Sequence, residues 1–268
     1  MKNIKLILTD IDGTLLDNQK KCPAENAEAI TSAHQQGILF GFVSGRPALN
    51  LVPCIQDWNL DTVVDIIIGS NGAEIYYVKE KKLEKVYNLD SKTMISLEKK
   101  TRNMDVSTCF YEGMTLVANK LTETYIKRCQ DMNFTQKTVD FEQYIQTSYP
   151  KMLLINPKGK QEAYIKEASS LGFDHIKFVS SSPILIEIID KRLSKSEGIQ
   201  RILKHYNFKN NEILCFGDAD NDYEMIRDFP SVAMENGSEK ILNTATYQTC
   251  SNQDAGVGKF INSHILYK

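Results

Sequence analysis

Short apolar runs alternate with amphipathic helical patterns at both ends of the chain. The runs at residues 4–8 and 38–43 are typical of buried strands, and residues 23–36 between them carry apolar side chains at helical spacing until Gly37. Residues 46–58 predict a second helix and residues 65–69 a third strand. Alternation of strands and helices predicts a parallel sheet with crossover helices.

The pattern changes from about residue 82. Apolar β runs now come in close pairs, such as residues 176–180 and 184–189, and short turns between such pairs favour antiparallel hairpins. Strand–helix alternation resumes at Ser194. The chain is therefore predicted to be an α/β protein: a doubly wound, mostly parallel core at 1–81 and 190–268, with an α+β domain inserted at 82–189.

The amino-acid composition is that of a folded globular protein without a strongly basic charge. The 268 residues are 42% hydrophobic and 25% charged, which is typical of globular chains and not of disordered ones. The net charge of −2 does not favour a nucleic-acid binder.

Membrane and secretion signals are missing from the pattern. No apolar run approaches the roughly 18–20 residues that span a bilayer, and the run in residues 6–8 is too short for a signal peptide. The six cysteines are scattered, which favours free thiols and excludes structural zinc. We expect a cytoplasmic protein without membrane or nucleic-acid partners.

Polar residues follow the predicted core strands where each strand ends. Asp10 and Asp12 follow the first, Ser44-Gly45-Arg46 follows the second, and an acidic loop at 217–222 follows a later one. Lys195 begins a helix. Ligands of open α/β sheets bind beyond the carboxyl ends of the strands, so these groups are predicted to meet at one edge.

Such a collection has a chemical logic. Four acids (Asp10, Asp12, Asp218 and Asp222) cannot lie close together without raised pKa values or a cation between them. Oxygen ligands favour Mg²⁺ over zinc. A hydroxyl, main-chain amides, a side-chain amide and an ammonium beside them are phosphate donors. Together they indicate phosphoryl transfer with one aspartate as nucleophile.

Each motif alone has a plainer interpretation. Asp-x-Asp-Gly-Thr could be a turn, Ser44 could cap a helix, and Lys195 could lie on the surface. The acidic loop could bind calcium, although no glutamate follows at EF-hand spacing. The ordered conjunction of all of them favours a site.

The chain resembles a known family at these positions. Asp10-x-Asp12-Gly13-Thr14, Ser44-Gly45-Arg46, Lys195 and Gly217-Asp218-x-x-Asn221-Asp222 are similar to the four ordered motifs of the haloacid-dehalogenase superfamily. The spacing resembles its Cof-type sugar-phosphatase branch, which has a large α/β cap between the second and third motifs.

The resemblance implies a role for each position. Asp10 would be the nucleophile and a Mg²⁺ ligand, and Asp12 the general acid and base, lending its main-chain carbonyl to the metal. Asp218 would bind the metal directly and Asp222 would support it. The implied phosphate contacts are Ile11, Ser44, Gly45, Lys195 and Asn221, with Thr14 and Arg46 in support.

The expected activity is Mg²⁺-dependent hydrolysis of small phosphate monoesters through an aspartyl-phosphate, with sugar phosphates first among substrates. A phosphomutase would share every motif. From another class, a receiver-type signalling or phosphate-binding protein also gathers acids and a lysine, but it needs two adjacent acids after the first strand. The expected partner is a small phosphate ester, and the expected assembly is a monomer or weak homo-oligomer.

Overall fold

The structure, a computed structural model, describes residues 3–266. Two compact units are present. The first comprises the described residues up to Glu84 and those from Ser194 onward, and the second comprises Lys85–Leu193. Among the described residues, no helix has both the length and the apolar character of a bilayer-spanning segment.

The boundaries of the units differ from the predicted 81/82 and 189/190. Residues 82–85 form the return strand of a hairpin in the large sheet, so a cut at 81/82 would separate paired strands. Asp190 is the last residue of a strand in the smaller sheet and pairs with Ile176. Strand pairing therefore extends each unit past its predicted end, and the compact units divide at 84/85, one residue before the end of that return strand, and at 193/194.

The first unit contains an eight-stranded sheet in the order β14-β13-β12-β1-β2-β3-β4-β5. Pairing is parallel from β14 to β3, whereas β4 runs antiparallel to β3. The strands are β1 (Leu6–Thr9), β2 (Leu39–Val43), β3 (Val64–Gly69), β4 (Glu74–Tyr77), β5 (Lys82–Lys85), β12 (Ile213–Gly217), β13 (Ser231–Met234) and β14 (Tyr247–Thr249).

Both faces of this sheet are covered. Ile7 points into a cluster packed with helices α1 (Ala24–Gln35) and α11 (Gly256–Ile261), whereas Leu6 and Leu8 point to α8 (Lys195–Tyr206) and α9 (Tyr223–Asp228). Because neither face meets water, the central strands are apolar throughout. The prediction of a doubly wound, mostly parallel core is confirmed.

The predicted helix at 46–58 is wrong. Two short helices stand there, α2 (Ala48–Leu51) and α3 (Cys54–Asp57), with Pro53 before the second. Proline has no N–H to donate and its ring crowds the preceding turn, so a continuous helix is interrupted at that position. Among the described residues of this unit, the remaining α-helix is α10 (Glu239–Thr244).

The second unit contains a six-stranded sheet in the order β10-β11-β9-β6-β7-β8. The predicted hairpins are present as the antiparallel pairs β6/β7 and β10/β11, while β7/β8 is parallel. The strands are β6 (Ser107–Glu112), β7 (Thr115–Ala118), β8 (Thr135–Thr138), β9 (Met152–Ile155), β10 (Ile176–Ser182) and β11 (Leu185–Asp190). The pattern missed β8 because its four residues are polar and exposed.

Helices cover both faces of this smaller sheet as well. Apolar side chains of α4 (Ser91–Thr101), α6 (Phe141–Tyr144) and α7 (Gln161–Ser169) share one cluster, and those of α5 (Glu123–Asp131) share another. The α+β character predicted for the middle of the chain is confirmed.

Candidate active site

The site forms at the carboxyl ends of neighbouring parallel strands. Thr9 of β1 is in register with Phe42 of β2 and Phe216 of β12, so the residues that follow these strands emerge at one edge. Asp10 is fixed there by a hydrogen bond from its N–H to the carbonyl of Phe216, 3.0 Å away. This placement is what the sequence predicted.

Three of the predicted acids converge. Asp10, Asp218 and Asp222 each place a carboxylate oxygen within 4.8 Å of those of the other two. Asp10 and Asp222 are buried, and Asp218 is partly exposed. An all-oxygen set of this size suits a hard divalent cation.

Lys195 lies inside the cluster. Its Nζ is 2.6 Å from Oδ1 of Asp10 and 2.5 Å from Oδ1 of Asp222, and its side chain is fully buried. Ser194 caps α8 by accepting the N–H of Glu197, which places Lys195 at the first residue of the helix. One ammonium therefore contacts two of the three clustered carboxylates.

The pKa values of these groups reflect burial and crowding. Burial, opposed by Lys195 but reinforced by Asp222 and Asp218, raises the pKa of Asp10 to about 8. Burial also raises the pKa of Asp218 to about 6, with the Asp222 carboxylate adding to the shift. The two aspartates that contact Lys195 raise the pKa of its ammonium despite burial. The carboxylates of the cluster therefore carry more negative charge than the ammonium of Lys195 can balance.

Asp222 also organises its own loop. Its Oδ2 accepts the N–H groups of Asp218 and Ala219 at 3.0 and 3.1 Å. Gly217 makes this possible because a Cβ there would lie 2.8 Å from that same oxygen. The side chain therefore fixes the main chain around Asp218.

Asp12 lies outside the carboxylate cluster. Arg46 donates to its carboxylate through Nε at 3.0 Å and Nη2 at 2.7 Å, and Nζ of Lys20 lies 2.7 Å from Oδ1 of the same carboxylate. Burial raises the pKa of Asp12, but Arg46 and Lys20 outweigh it and hold that pKa below its usual range. The side chain is ionised in this state, and its predicted main-chain contact to a metal stays a prediction.

Gly13 and Thr14 explain the rest of the first motif. Thr14 Oγ1 donates to Oδ1 of Asp218 at 2.6 Å. Gly13 has φ +89°, and a Cβ there would lie 2.3 Å from Asp218 Oδ2. Position 13 therefore requires glycine for two reasons: its φ is positive, and the Asp218 carboxylate leaves no space for a Cβ.

The predicted phosphate contacts lie on the same loops. Ser44 is buried and its Oγ accepts the N–H of Arg46 at 3.1 Å, so it closes a turn and does not cap α2, which follows Pro47. Asn221 lies beside Asp222 in the single 3₁₀ turn Asp220–Asp222. The side chain of Ile11 is buried in the core, which leaves only its main chain for a ligand.

Sequence reasoning assigned no role to three asparagines that hold the loop after Asp12. Their side-chain amides donate to main-chain carbonyls within residues 13–16: Asn236 to Gly13 at 2.8 Å, Asn26 to Leu15 at 2.9 Å and Asn252 to Leu16 at 2.8 Å. For Asn26 a signal was available, because this polar residue is four positions before Ile30 on the apolar face of α1.

Comparisons with known proteins agree with this geometry. Residues 7–261 match the family model of haloacid dehalogenase-like hydrolases. A relative from Bacillus subtilis, 5-amino-6-(5-phospho-D-ribitylamino)uracil phosphatase YitU, is 26% identical over 275 residues and covers 97% of each chain.

Solved structures show the same fold. A haloacid dehalogenase-like hydrolase from Bacteroides thetaiotaomicron is 26% identical, with a TM-score of 0.87 over 97% of this chain and 98% of that one. The subclass IIB sugar phosphatase BT4131, at 24% identity and a TM-score of 0.83 over 96% and 98% of the two chains, agrees in fold. The predicted resemblance to the Cof-type branch is confirmed, and the chain belongs to the haloacid dehalogenase-like hydrolase family.

Proposed function

We propose that this protein is a Mg²⁺-dependent phosphatase that hydrolyses small phosphate monoesters through an aspartyl-phosphate on Asp10. The observation that carries the proposal is the convergence of Asp10, Asp218 and Asp222 around the buried ammonium of Lys195. Three carboxylates with one ammonium retain net negative charge in a buried place, which a divalent metal ion would balance.

The donor set fits the metal. Carboxylate oxygens of Asp10 and Asp218 would bind it, with Asp222 holding the loop of Asp218 and the main-chain carbonyl of Asp12 as a further ligand. Burial, reinforced by neighbouring carboxylates, raises the pKa values of Asp10 and Asp218 to about 8 and 6, and a bound cation would oppose both shifts. When bound, Mg²⁺ supplies electrostatic stabilisation of the phosphoryl oxygens and orients the reacting groups.

The reaction runs in two displacements. A carboxylate oxygen of Asp10 forms a bond to phosphorus while the ester P–O bond breaks, and the departing alkoxide takes a proton from Asp12. Asp12 then removes a proton from water, whose oxygen attacks phosphorus and breaks the bond to Asp10. Phosphate leaves and the free carboxylate of Asp10 is restored.

Phosphate binding is assigned to donors around the nucleophile. Lys195 already contacts Asp10 at 2.6 Å, so its ammonium is placed to neutralise the incoming phosphoryl group. Ser44, Gly45 and Asn221, with the main chain of Ile11, complete the proposed set. Thr14 and Arg46 act indirectly, through Asp218 and Asp12.

The ion pairs of Asp12 affect its proposed roles as general acid and general base. An ionised carboxylate held by Arg46 and Lys20 is ready to act as a base. To act as an acid it must first gain a proton, which requires weakening of those pairs. We infer that entry of the anionic ester, which competes for the same cations, raises the pKa of Asp12.

Sugar phosphates are the proposed substrate class. YitU, the relative from Bacillus subtilis, is named for a phosphate ester on a ribityl chain. Residues 85–193 form the compact unit that we propose selects the leaving group.

The six free cysteines fit the reducing cytoplasm. We propose a monomer or weak homo-oligomer.

The test is a measurement of phosphate release from a panel of sugar phosphates, nucleotides, pyridoxal phosphate and flavin mononucleotide. We expect turnover with Mg²⁺, none in excess EDTA, and recovery when Mg²⁺ is added back. Full activity in EDTA would contradict metal dependence. A requirement for a sugar bisphosphate, with transfer instead of release, would indicate a mutase.

A further inference from the structure

A strained turn lies behind the proposed phosphate site. Ser70, Asn71 and Gly72 have consecutive φ values of +50°, +54° and +98°. The first two are not glycine, and L residues rarely adopt this left-handed region. Such conformations persist where the surroundings impose them, often beside functional sites.

On one side the turn holds the Ser44 loop. The N–H of Asn71 donates to the carbonyl of Ser44 at 3.1 Å, and the N–H of Ser70 donates to the carbonyl of Arg46 at 2.8 Å. These two carbonyls flank Gly45. The turn therefore fixes the main chain that carries two proposed phosphate contacts.

Glu74 strengthens this connection. The side chain is 5% exposed, and its Oε2 accepts the N–H of Ala48 at 2.9 Å and the hydroxyl of Ser70 at 3.0 Å. Gly69 allows the close approach, since a Cβ there would lie 2.4 Å from the nitrogen of Ala48. One carboxylate oxygen thus joins the end of the Ser44 loop to the turn.

On its other side the turn supports the helix that carries Lys195. A Cβ on Gly72 would lie 2.3 Å from the carbonyl of Ser194, and a Cβ on Gly198 would lie 3.0 Å from the Cα of Gly72. Arg201 donates to the carbonyl of Gly72. The main chains of the turn and of α8 are therefore in direct contact.

We propose that the Ser70–Gly72 turn and Glu74 position the phosphate-binding groups by fixing the distance between the Ser44 loop and Lys195. Glu74 is the positioning residue, acting through the main chain of the loop. This inference rests on the proposed role of Ser44, Gly45 and Lys195 in binding phosphate.

The first test replaces Glu74. Glu74→Met keeps the length of the side chain but offers no acceptor to Ala48, so we expect KM for p-nitrophenyl phosphate and Ki for inorganic phosphate to rise about 10-fold, as for the loss of one hydrogen bond to a charged group. The expected change in kcat is less than about 3-fold. Glu74→Gln keeps an acceptor and should restore KM to within about 3-fold of the unsubstituted protein.

Asp65→Asn is the matched control. Asp65 is also 5% exposed and also accepts a main-chain N–H, that of Phe40, but it lies near the start of β3. We expect this variant to unfold at lower temperature with KM unchanged. An equal rise of KM in Asp65→Asn and Glu74→Met would overturn the proposal.

A double-mutant cycle with Ser44→Ala tests the route of the effect. If Glu74 acts through the Ser44 loop, Glu74→Met should change KM less than about 2-fold in the Ser44→Ala background. A full 10-fold effect in both backgrounds would contradict that route. If Glu74→Met does not fold, Ser70→Ala, which removes only the hydroxyl donor, replaces it in the cycle.

Hydrogen exchange separates this inference from the proposed function. Faster exchange of main-chain amides in residues 44–48 is expected in Glu74→Met and not in Asp65→Asn, whether or not the protein hydrolyses phosphate esters. Unchanged exchange there would refute positioning by Glu74. Faster exchange in a protein without phosphatase activity would refute only the proposed function.

Discussion

Two buried carboxylates lie at opposite ends of the same sheet. Asp65, near the start of β3, accepts the N–H of Phe40 at 3.0 Å and contacts His34 Nε2 at 3.2 Å and Lys79 Nζ at 2.8 Å. Asp10, after the end of β1, shares the ammonium of Lys195 with Asp222 and lies beside Asp218.

The difference between them is charge balance and not burial. Basic groups and a main-chain donor surround the single carboxylate of Asp65, whereas at Asp10 the carboxylates outnumber the cation, which leaves negative charge for a metal to neutralise. A buried acid with its own partners contributes to stability, and a cluster of acids in excess costs stability in exchange for chemistry. Four experiments test this comparison.

Removing the proposed nucleophile should have the largest effect. Asp10→Asn keeps the shape of the side chain but cannot form an acyl phosphate, so we expect turnover of p-nitrophenyl phosphate to fall by at least about 10⁴-fold with the fold retained. Circular dichroism checks the fold. Asp65→Asn should keep turnover within about 3-fold, since its carboxylate stabilises the opposite end of the sheet. Comparable losses in both variants would contradict the comparison.

Asp12→Asn should separate the two displacements. General acid–base catalysis is typically worth about 10²–10⁴-fold, and a sugar alkoxide needs the proton whereas nitrophenolate does not. Sugar phosphate hydrolysis should therefore nearly stop. With p-nitrophenyl phosphate we expect a burst of at most one equivalent of nitrophenolate, a slow steady state, and phosphorylated protein by intact mass. Equal slowing of both substrates with no phosphoenzyme would make Asp12 structural.

Arg46→Gln should shift the pH profile. Burial raises the pKa of Asp12 but Arg46 lowers it, so removal of the guanidinium should raise that pKa. Asp12 then keeps the proton that it gives to the leaving group up to a higher pH. The basic limb of kcat/KM for a sugar phosphate should therefore move upward, by less than about one pH unit because the pair is partly exposed. Lys20→Gln, which removes a single contact, should produce a smaller shift of the same sign. A downward shift would exclude this role of Arg46.

The smallest effect concerns stability without metal. The pKa of Asp10 rises from its ordinary value of 3.8 to about 8 in the folded protein. The folded state therefore holds a proton that the unfolded state has lost, and stability falls as pH rises through this window. In EDTA, Asp10→Asn should unfold a few degrees above the unsubstituted protein at pH 9, with the difference shrinking toward pH 4. At pH 9, Asp65→Asn should unfold at a lower temperature than the unsubstituted protein, so its change in unfolding temperature has the opposite sign to that of Asp10→Asn.

Much of the catalytic edge was predictable because its residues follow strands directly. Ser44 directly follows an apolar run, and Asp10 and Asp218 are each two residues beyond one; parallel register brings such positions together. The turn at Ser70–Gly72 was not predictable, since its role depends on main-chain contacts with Ser44 and with α8 that leave no periodic signal.

Sequence by itself determined which strands are buried, which acids share an edge and which ion would suit them, because side-chain periodicity and ligand chemistry are local properties. Tertiary structure alone decided the charge state of those acids. Asp12 is separated from the cluster by Arg46, 34 positions away along the chain, and Asp10 is joined to Lys195 across 185 positions. Burial and distance, which set each pKa, exist only after the chain has folded.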